Sequence, residues 1–294
     1  MACRETRRID LHVHSTASDG TLTPLEIVKK SEQAGLAALS ITDHDTVAGC
    51  RPVLEAALPA SLKFLTGVEI SAAYPASCSL SGSLHVLGYD IDIHDTALNH
   101  GLERLQTARN QRTPKILEQL NRLGMDISMA ETAAFAGGGQ VGRAHIAQAM
   151  KARGVVRSIR EAFDRYLGKN KPAYVDKERI PCDRAIALIR QAGGVAVLAH
   201  PFLVDTPDDK ALESLVSTLV DMGMQGIEAL YPQHTKKQTA FYKDLARRYN
   251  LLITGGTDFH GDLNSEVALG KATGNFYVDY ELYEKLIAVT RHQL

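Results

Sequence analysis

Asp10-Leu11-His12-Val13-His14-Ser15 is followed five residues after His14 by Asp19, inside the turn Ser18-Asp19-Gly20. Ile9 to Val13 alternates apolar and polar side chains, which predicts a short strand. His12 and His14, two residues apart, then project from one face of it. Two imidazoles side by side make half of a metal site, and Asp19 brings a carboxylate close to the strand's end. A lone His-x-His occurs by chance, but here the same event recurs along the chain. Leu36 to Thr42 reads as a strand ending in Asp43-His44-Asp45, and Lys63 to Ser71 as one carrying Glu69 within apolar neighbours, where an unpaired carboxylate is expensive. Leu84 to Tyr89 carries His85 near its start. Val195 to Ala199 runs into His200-Pro201, Gly226 to Tyr231 into Pro232-Gln233-His234, and Leu251 to Thr254 into a loop holding Asp258 and His260.

Helical patterns lie between these strands. Thr23 as N-cap and Pro24 at the first helical position open one that Gly35 ends. Others are read at Val47 to Leu58, Pro181 to Ala192, Asp208 to Met222, Thr235 to Tyr249 and Tyr280 to Thr290. Strand and helix alternate about seven times, which predicts an α/β fold with a parallel sheet. A closed barrel is favoured over an open sheet. In a barrel every loop at the C-terminal strand ends converges on one site, whereas an open sheet gathers groups only at its switch point.

His94 to Lys171 differs. Leu98, Leu102, Leu105, Ile116, Leu117, Leu120 and Leu123 form a helical stripe, shorter helical patterns follow, and no strand is read there. The expected organisation is therefore a first barrel part at 1–95, a small helical insertion capping the substrate at 96–172, and a second barrel part at 173–294. The 294 residues carry a formal net charge of −1, which argues against a bulk nucleic-acid binder. Between Gly101 and Asn170, however, 12 Lys/Arg stand against 6 Asp/Glu, a net of +6, and the remainder carries −7. An acidic body suits metal cations, and a basic insertion suits anionic groups. No run of eighteen apolar residues predicts a membrane span, and the N-terminal residues lack an apolar signal core, so a cytoplasmic location is expected. Cys3, Cys50, Cys78 and Cys182 show no paired spacing and read as idle thiols.

The candidate metal ligands are then His12, His14, Asp19, His44, Glu69, His85, His200, Asp258 and His260. Nine such groups serve two or three metals if one carboxylate bridges. Imidazole and carboxylate without thiolate suit zinc, manganese or iron. Such clusters bind phosphoryl oxygens and activate a water. Asp43 and Asp45 read as supporting or capping residues, and His94, His100 and His292 as surface residues; His145 is intermediate. Arg143, at a helix start after Gly142, is the first candidate for a phosphate clamp. Lys169-Asn170-Lys171 is the second, and His234 a further candidate for substrate contact. Arg109 and Arg112, on the apolar stripe, are the third clamp candidates but read better as solvated surface charges.

His12-Val13-His14, Ser18-Asp19-Gly20, Thr42-Asp43-His44, Gly67-Val68-Glu69, His200-Pro201 and Asp258-Phe259-His260, in this order, resemble the motifs of the polymerase and histidinol phosphatase (PHP) superfamily, over residues 8 to 89 and about 181 to 294. The resemblance implies a distorted (β/α)7 barrel holding up to three divalent metals. It implies one metal among His12, His14, Glu69 and Asp258, a second among Glu69, His85 and His200, and a third among Asp19, His44 and His260. The insertion with Gly142-Arg143-Ala144-His145-Ile146 resembles the stand-alone bacterial branch, similar to nucleoside 3′,5′-bisphosphate phosphatases and 5′-to-3′ exoribonucleases. The implied reaction removes the 3′-phosphate of a bisphosphonucleotide, with a metal-held hydroxide attacking phosphorus and Arg143 holding the other phosphate; short RNA is a wider substrate, and no obligate protein partner is expected. Two other readings stand beside it: a histidinol-phosphate phosphatase, and a non-catalytic metal-binding module. All nine ligand positions carry competent side chains, which speaks against the last.

Overall fold

The computed structural model describes residues 7–136, 139–261 and 266–291. In chain order the elements are β1 (Arg8–Asp10), α1 (Pro24–Gln33), β2 (Leu36–Ile41), α2 (Cys50–Glu55), β3 (Lys63–Ala73), β4 (Ser81–Gly82), β5 (Leu84–Tyr89), α3 (Thr96–Arg122), α4 (Met129–Phe135), α5 (Arg143–Ala152), α6 (Ile159–Ala162), β6 (Ile180–Pro181), α7 (Cys182–Gln191), β7 (Val195–Leu198), β8 (Val204–Asp205), α8 (Asp209–Asp221), β9 (Gly226–Leu230), α9 (Lys236–Arg248), β10 (Leu252–Gly255), β11 (Val267–Ala268), β12 (Lys271–Ala272), β13 (Val278–Asp279) and α10 (Tyr280–Arg291). Helix starts follow local chemistry. Thr23 and Glu26 form a capping box ahead of α1 with Pro24 just inside, and Thr235 with Gln238 does the same for α9.

The main sheet runs β10-β9-β7-β5-β3-β2-β1-β13, with β6 pairing off β3. β2, β5 and β7 are buried at every position, as expected of strands covered on both faces. The sheet nearly closes on itself: Leu11 N–H donates to Gly255 O at 3.4 Å, His14 N–H to Phe259 O at 2.9 Å, and Val13 bridges Phe259. The approach is close enough that a Cβ on Gly256 would lie 2.4 Å from the backbone nitrogen of His12.

The expected parallel sheet is corrected at two strands: β13 at the edge is antiparallel to β1, and β5 breaks the β/α alternation inside the sheet. β5 is antiparallel to both neighbours, β3 and β7. The physical reason is the connection: only ten residues, 74–83, separate β3 from β5. A parallel crossover needs about a dozen or more, usually through a helix. The reversal places the start of β5, not its end, beside the C-terminal ends of β3 and β7. β1 also stops at Asp10, so His12 and His14 lie beyond it, in the segment paired through Val13. The helix expected over Val47 to Leu58 forms only as α2, and the last helical pattern of the insertion ends in a π-helical turn, Phe163–Leu167.

The long helix α3 changes packing partners along its length. Leu98, Leu102 and Leu105 join the barrel core with Leu188 and Ile189 of α7. Ile116, Leu117 and Leu120 instead pack with Ile146, Met150 and Leu167 in a separate cluster. Pro114 lies between the two sets; it lacks the N–H that would bond back to the preceding turn. α3 therefore belongs to both clusters, and its change of partner falls near Pro114. Among the described residues no helix is long and apolar enough to cross a membrane.

Candidate metal centre

The side chains that end or follow the strands meet around Glu69, which projects from β3 and is buried. Its Oε2 lies 3.5 Å from His12 Nε2, 3.3 Å from His14 Nε2 and 2.9 Å from His44 Nδ1. Its Oε1 lies 2.7 Å from His85 Nδ1 and 2.8 Å from His200 Nε2. Asp258 Oδ1 comes within 3.3 Å of His12 Nε2 and 3.1 Å of His14 Nε2. On the far side Asp19 Oδ1 stands 3.3 Å from His260 Nε2 and 3.8 Å from His14 Nδ1. His85 reaches this group from the start of its strand because β5 runs backwards; Ser71 of β3 is its cross-strand partner.

His12 Nε2, His14 Nε2, Asp19 Oδ1, His44 Nδ1 and Glu69 Oε2 are buried and have no hydrogen-bond partner. Orphaned polar atoms of this kind are expensive unless a ligand satisfies them. Three sets of potential donor atoms lie within 4.8 Å of one another: His12, His14, Glu69 and Asp258; His14, Asp19, His44 and His260; and His44, Glu69 and His85. His200 Nε2 is 3.4 Å from His85 Nδ1, beside the third set. The structure thus brings all nine candidate ligands together, with Glu69 shared. Relative to the expected groupings, His14 also joins Asp19 and His260, and His44 also joins Glu69 and His85. A nitrogen and oxygen donor set free of thiolate fits divalent cations.

The electrostatics point the same way. Burial pushes the Glu69 carboxyl up, but His44, His85 and His12 outweigh it and hold it well below the carboxylate range. Asp19 and Asp258 are likewise held low against burial by neighbouring imidazoles. Burial works against charge on His14; the close carboxylates of Asp258 and Glu69 prevail and raise it to about 10. Without metal, His14 therefore keeps its proton through neutral pH, and a cation must displace it. Manganese or zinc uptake at pH 7 to 8 is expected to release protons. Apparent affinity should rise toward pH 10 by about tenfold per unit for each proton displaced. Calorimetry in two buffers of unequal ionisation heat reads the proton count; uptake that releases none would show the metal-free cluster to hold no displaceable proton on His14.

Several supporting residues carried weak sequence signals. Glu228 in β9 is fully buried; it accepts from His12 Nδ1 at 2.9 Å and from the His200 N–H at 2.7 Å. It thereby leaves His12 Nε2 to face the cluster. A carboxylate inside an apolar strand was the available signal, the same one Glu69 gives. Asp43 accepts from Ser15 N–H and from the hydroxyls of Ser15 and Ser18, fixing the turn that carries Asp19. The Tyr231 hydroxyl donates to Asp258 Oδ2 at 2.8 Å. Lys177 Nζ lies 2.9 Å from His85 Nε2 and from Ser71 Oγ, and burial pushes its pKa down to about 7.

The substrate candidates are distributed unevenly. A cavity of about 120 Å³ opens beside the cluster. Asp19, His44 and His85 line it together with the cations Arg109, Arg112, Arg143 and Lys177. Arg109 and Arg112, expected as solvated charges, instead turn into this cavity: half-buried Arg109 pairs with Asp45 at 2.8 Å, and buried Arg112 donates from Nε to Val175 O at 2.9 Å. The stripe on α3 faces inward at both positions, so its arginines do too. Lys169, Asn170 and Lys171 are exposed and do not line the cavity. His234 packs between the rings of Phe202, Tyr231 and Tyr242, one residue removed from Asp258. His145 is buried, and its Nδ1 accepts from the Gly142 N–H. His94 and His100 lie outside the cluster, and His292 lies outside the described residues.

Comparison with known proteins agrees with this arrangement. Residues 10–171 match the family model described as the PHP domain. A 5′-3′ exoribonuclease of Haemophilus influenzae is 33% identical over 255 residues, covering 87% of this chain and 90% of the relative. A 3′,5′-nucleoside bisphosphate phosphatase of Chromobacterium violaceum is 32% identical over 260 residues, covering 86% and 87%. A solved structure from Bifidobacterium adolescentis, assigned as a metal-dependent phosphoesterase, matches with a TM-score of 0.83 at 27% identity over 96% of both chains. One family model spans more than half of the chain and these relatives align along nearly all of their own length, so the chain belongs to the PHP family and is a metal-dependent hydrolase of phosphoester bonds.

Proposed function

We propose that the enzyme removes the 3′-phosphate from nucleoside 3′,5′-bisphosphates, for example converting adenosine 3′,5′-bisphosphate to AMP and phosphate, with 5′-to-3′ trimming of short RNA as an extension of the same chemistry. The observation that carries this reading is the cavity lined both by candidate metal ligands and by four cationic side chains. Arg112 Nη2 in its wall is buried and has no acceptor. Buried guanidinium nitrogens without an anion are costly, so the wall calls for a second anionic group next to the reacting one. The names of the two curated relatives agree with it.

In this reading His12, His14, Glu69 and Asp258, then Glu69, His85 and His200, then Asp19, His44 and His260 hold two or three manganese, zinc or iron ions. When bound, these ions supply positive charge at the reacting phosphoryl group and activate a water. Arg143 takes the second phosphate. Its Nη1 donates to Leu167 O at 3.0 Å, and its guanidinium lies 5.5 Å and 5.8 Å from the ring centroids of Phe163 and Tyr174. These contacts hold the fork in one orientation, which reduces the freedom lost on binding. Arg109, Arg112 and Lys177 supply the remaining charge.

Histidinol phosphate, with a single phosphate, brings no second anion to that cationic cavity. The deciding assay measures phosphate release by metal-loaded enzyme from adenosine 3′,5′-bisphosphate and from histidinol phosphate. Release from the nucleotide, abolished by chelation, is expected; release from histidinol phosphate alone would overturn the proposal.

A further inference from the structure

Asp45 follows His44 and touches none of the nine candidate ligands through its side chain, yet its bonding capacity is fully used. Its backbone sits at φ 57°, a left-handed conformation uncommon for a residue other than glycine. Its N–H donates to Glu69 O at 2.9 Å. Its carboxylate accepts from Ser71 N–H at 2.7 Å, from the Ser71 hydroxyl at 3.0 Å and from Arg109 Nη2 at 2.8 Å. Its carbonyl accepts from Gln106 Nε2 at 3.0 Å. Ser71 lies on β3, two residues after Glu69, so the carboxylate is anchored to the strand that carries the shared ligand.

Gln106 and Arg109 are one turn apart on the same face of α3. The insertion is therefore fastened to the His44 loop at two adjacent points, one charged and one neutral. The fastening continues outward. Gln140 Nε2 donates to Gln106 O at 2.9 Å and to Asn110 Oδ1 at 3.1 Å, and the Thr113 hydroxyl donates to Val141 O at 3.0 Å. These bonds hold the segment that leads into Arg143. Arg109, Arg112 and Arg143 then share one small cavity, where like charges drive them apart. Among the described residues, Asp45 is the only acid within 4 Å of any of these guanidiniums or of Lys177.

We propose that Asp45 is a positioning residue for recognition of the second phosphate: anchored through Ser71, it holds Arg109, and with it α3, at the place where the guanidiniums converge on one anion. This inference rests on the bisphosphate reading. Asp45 acts on the substrate only through Arg109, whose remaining nitrogens are left for the ligand. Asparagine at this position keeps the size but brings an uncharged amide to Arg109, and the guanidinium is no longer held against its neighbours' repulsion.

The test uses adenosine 3′,5′-bisphosphate and adenosine 3′-monophosphate, which keeps the reacting phosphate and lacks the second. The readout is the enzyme's preference, the ratio of the two kcat/KM values. In Asp45→Asn the preference is expected to fall by about tenfold, through KM for the bisphosphate. Arg109→Ala lowers it as well, and the double variant falls no further than Arg109→Ala alone. A general loss of structure would reduce both substrates' kcat together and leave the ratio in place. Ser71→Ala removes one anchoring bond and, with it, the Lys177 contact to the same hydroxyl; it shifts the preference in the same direction by less, and it carries the test if Asp45→Asn fails to fold, provided the shift is absent when Arg109 is already alanine. Wild-type preference that persists in Asp45→Asn, or losses that add in the double variant, overturn the inference while the bisphosphate reading stands. A wild-type enzyme with no preference overturns both.

Discussion

Glu69→Gln is expected to lower kcat/KM by at least about a thousandfold, which corresponds to roughly 4 kcal/mol of lost transition-state stabilisation. Both oxygens of Glu69 are in use: Oε2 faces His12, His14 and His44, and Oε1 faces His85 and His200. Glutamine offers one oxygen and an amide nitrogen that does not ligate. It also removes the single negative charge at the centre of five imidazoles, so the variant should retain fewer ions per chain than wild type. Elemental analysis of the purified protein reads that loss directly, and circular dichroism checks that the isosteric change leaves the fold intact. A variant with full metal content and wild-type turnover would take Glu69 out of the site.

The second large effect is expected at Arg143. Arg143→Ala should lower kcat/KM for adenosine 3′,5′-bisphosphate by about 30- to 150-fold, the equivalent of one charge-assisted hydrogen-bond pair of about 2 to 3 kcal/mol. The loss should fall mainly on KM, because the second phosphate is held alike in ground and transition states. Arg143→Lys should recover only part of it. A lysine keeps the charge, but not the planar fork that Leu167, Phe163 and Tyr174 hold in place. Steady-state kinetics on both variants decide it, and an Arg143→Ala enzyme with unchanged kcat/KM would discard the residue from the substrate site.

The candidate ligands were legible because polar groups at the ends of apolar strands stand out against a simple background. His12, His14, His44, His200, Asp258 and His260 all declare themselves this way, and Glu69 does so by interrupting an apolar run. Glu228 gives the same interruption in β9 but has no histidine beside it in sequence. Its partner His12 is 216 residues away, and only folding reveals the pair. The reversal of β5 was readable in principle from the ten-residue connection before it, since that length is too short for a parallel crossover. Lys177 left no trace at all, because it lies outside the regular elements and reaches His85 through a long flexible side chain. Arg109 and Arg112 were misjudged for a related reason. Charge at a stripe position usually turns outward, and only the neighbouring Asp45, with a ligand still to come, makes an inward arginine tolerable.

The reversed strand also sets the path of the chain that follows it. β5 leaves the sheet at the end remote from the candidate metal ligands, where Tyr89 pairs with Gly67 and Val195. α3 must therefore climb the side of the barrel before it can deliver anything to the mouth. From Thr96 to Arg109 that ascent is about 20 Å, measured out at 1.5 Å per residue. The helix is thus a gauge. One residue inserted below Arg109 would swing its side chain by about 100° away from Asp45, and a whole turn would raise it by about 5.4 Å. The residue count of α3 therefore sets how far Arg109 stands from Asp45 and from the candidate ligands, a spacing that a lengthened helix would lose.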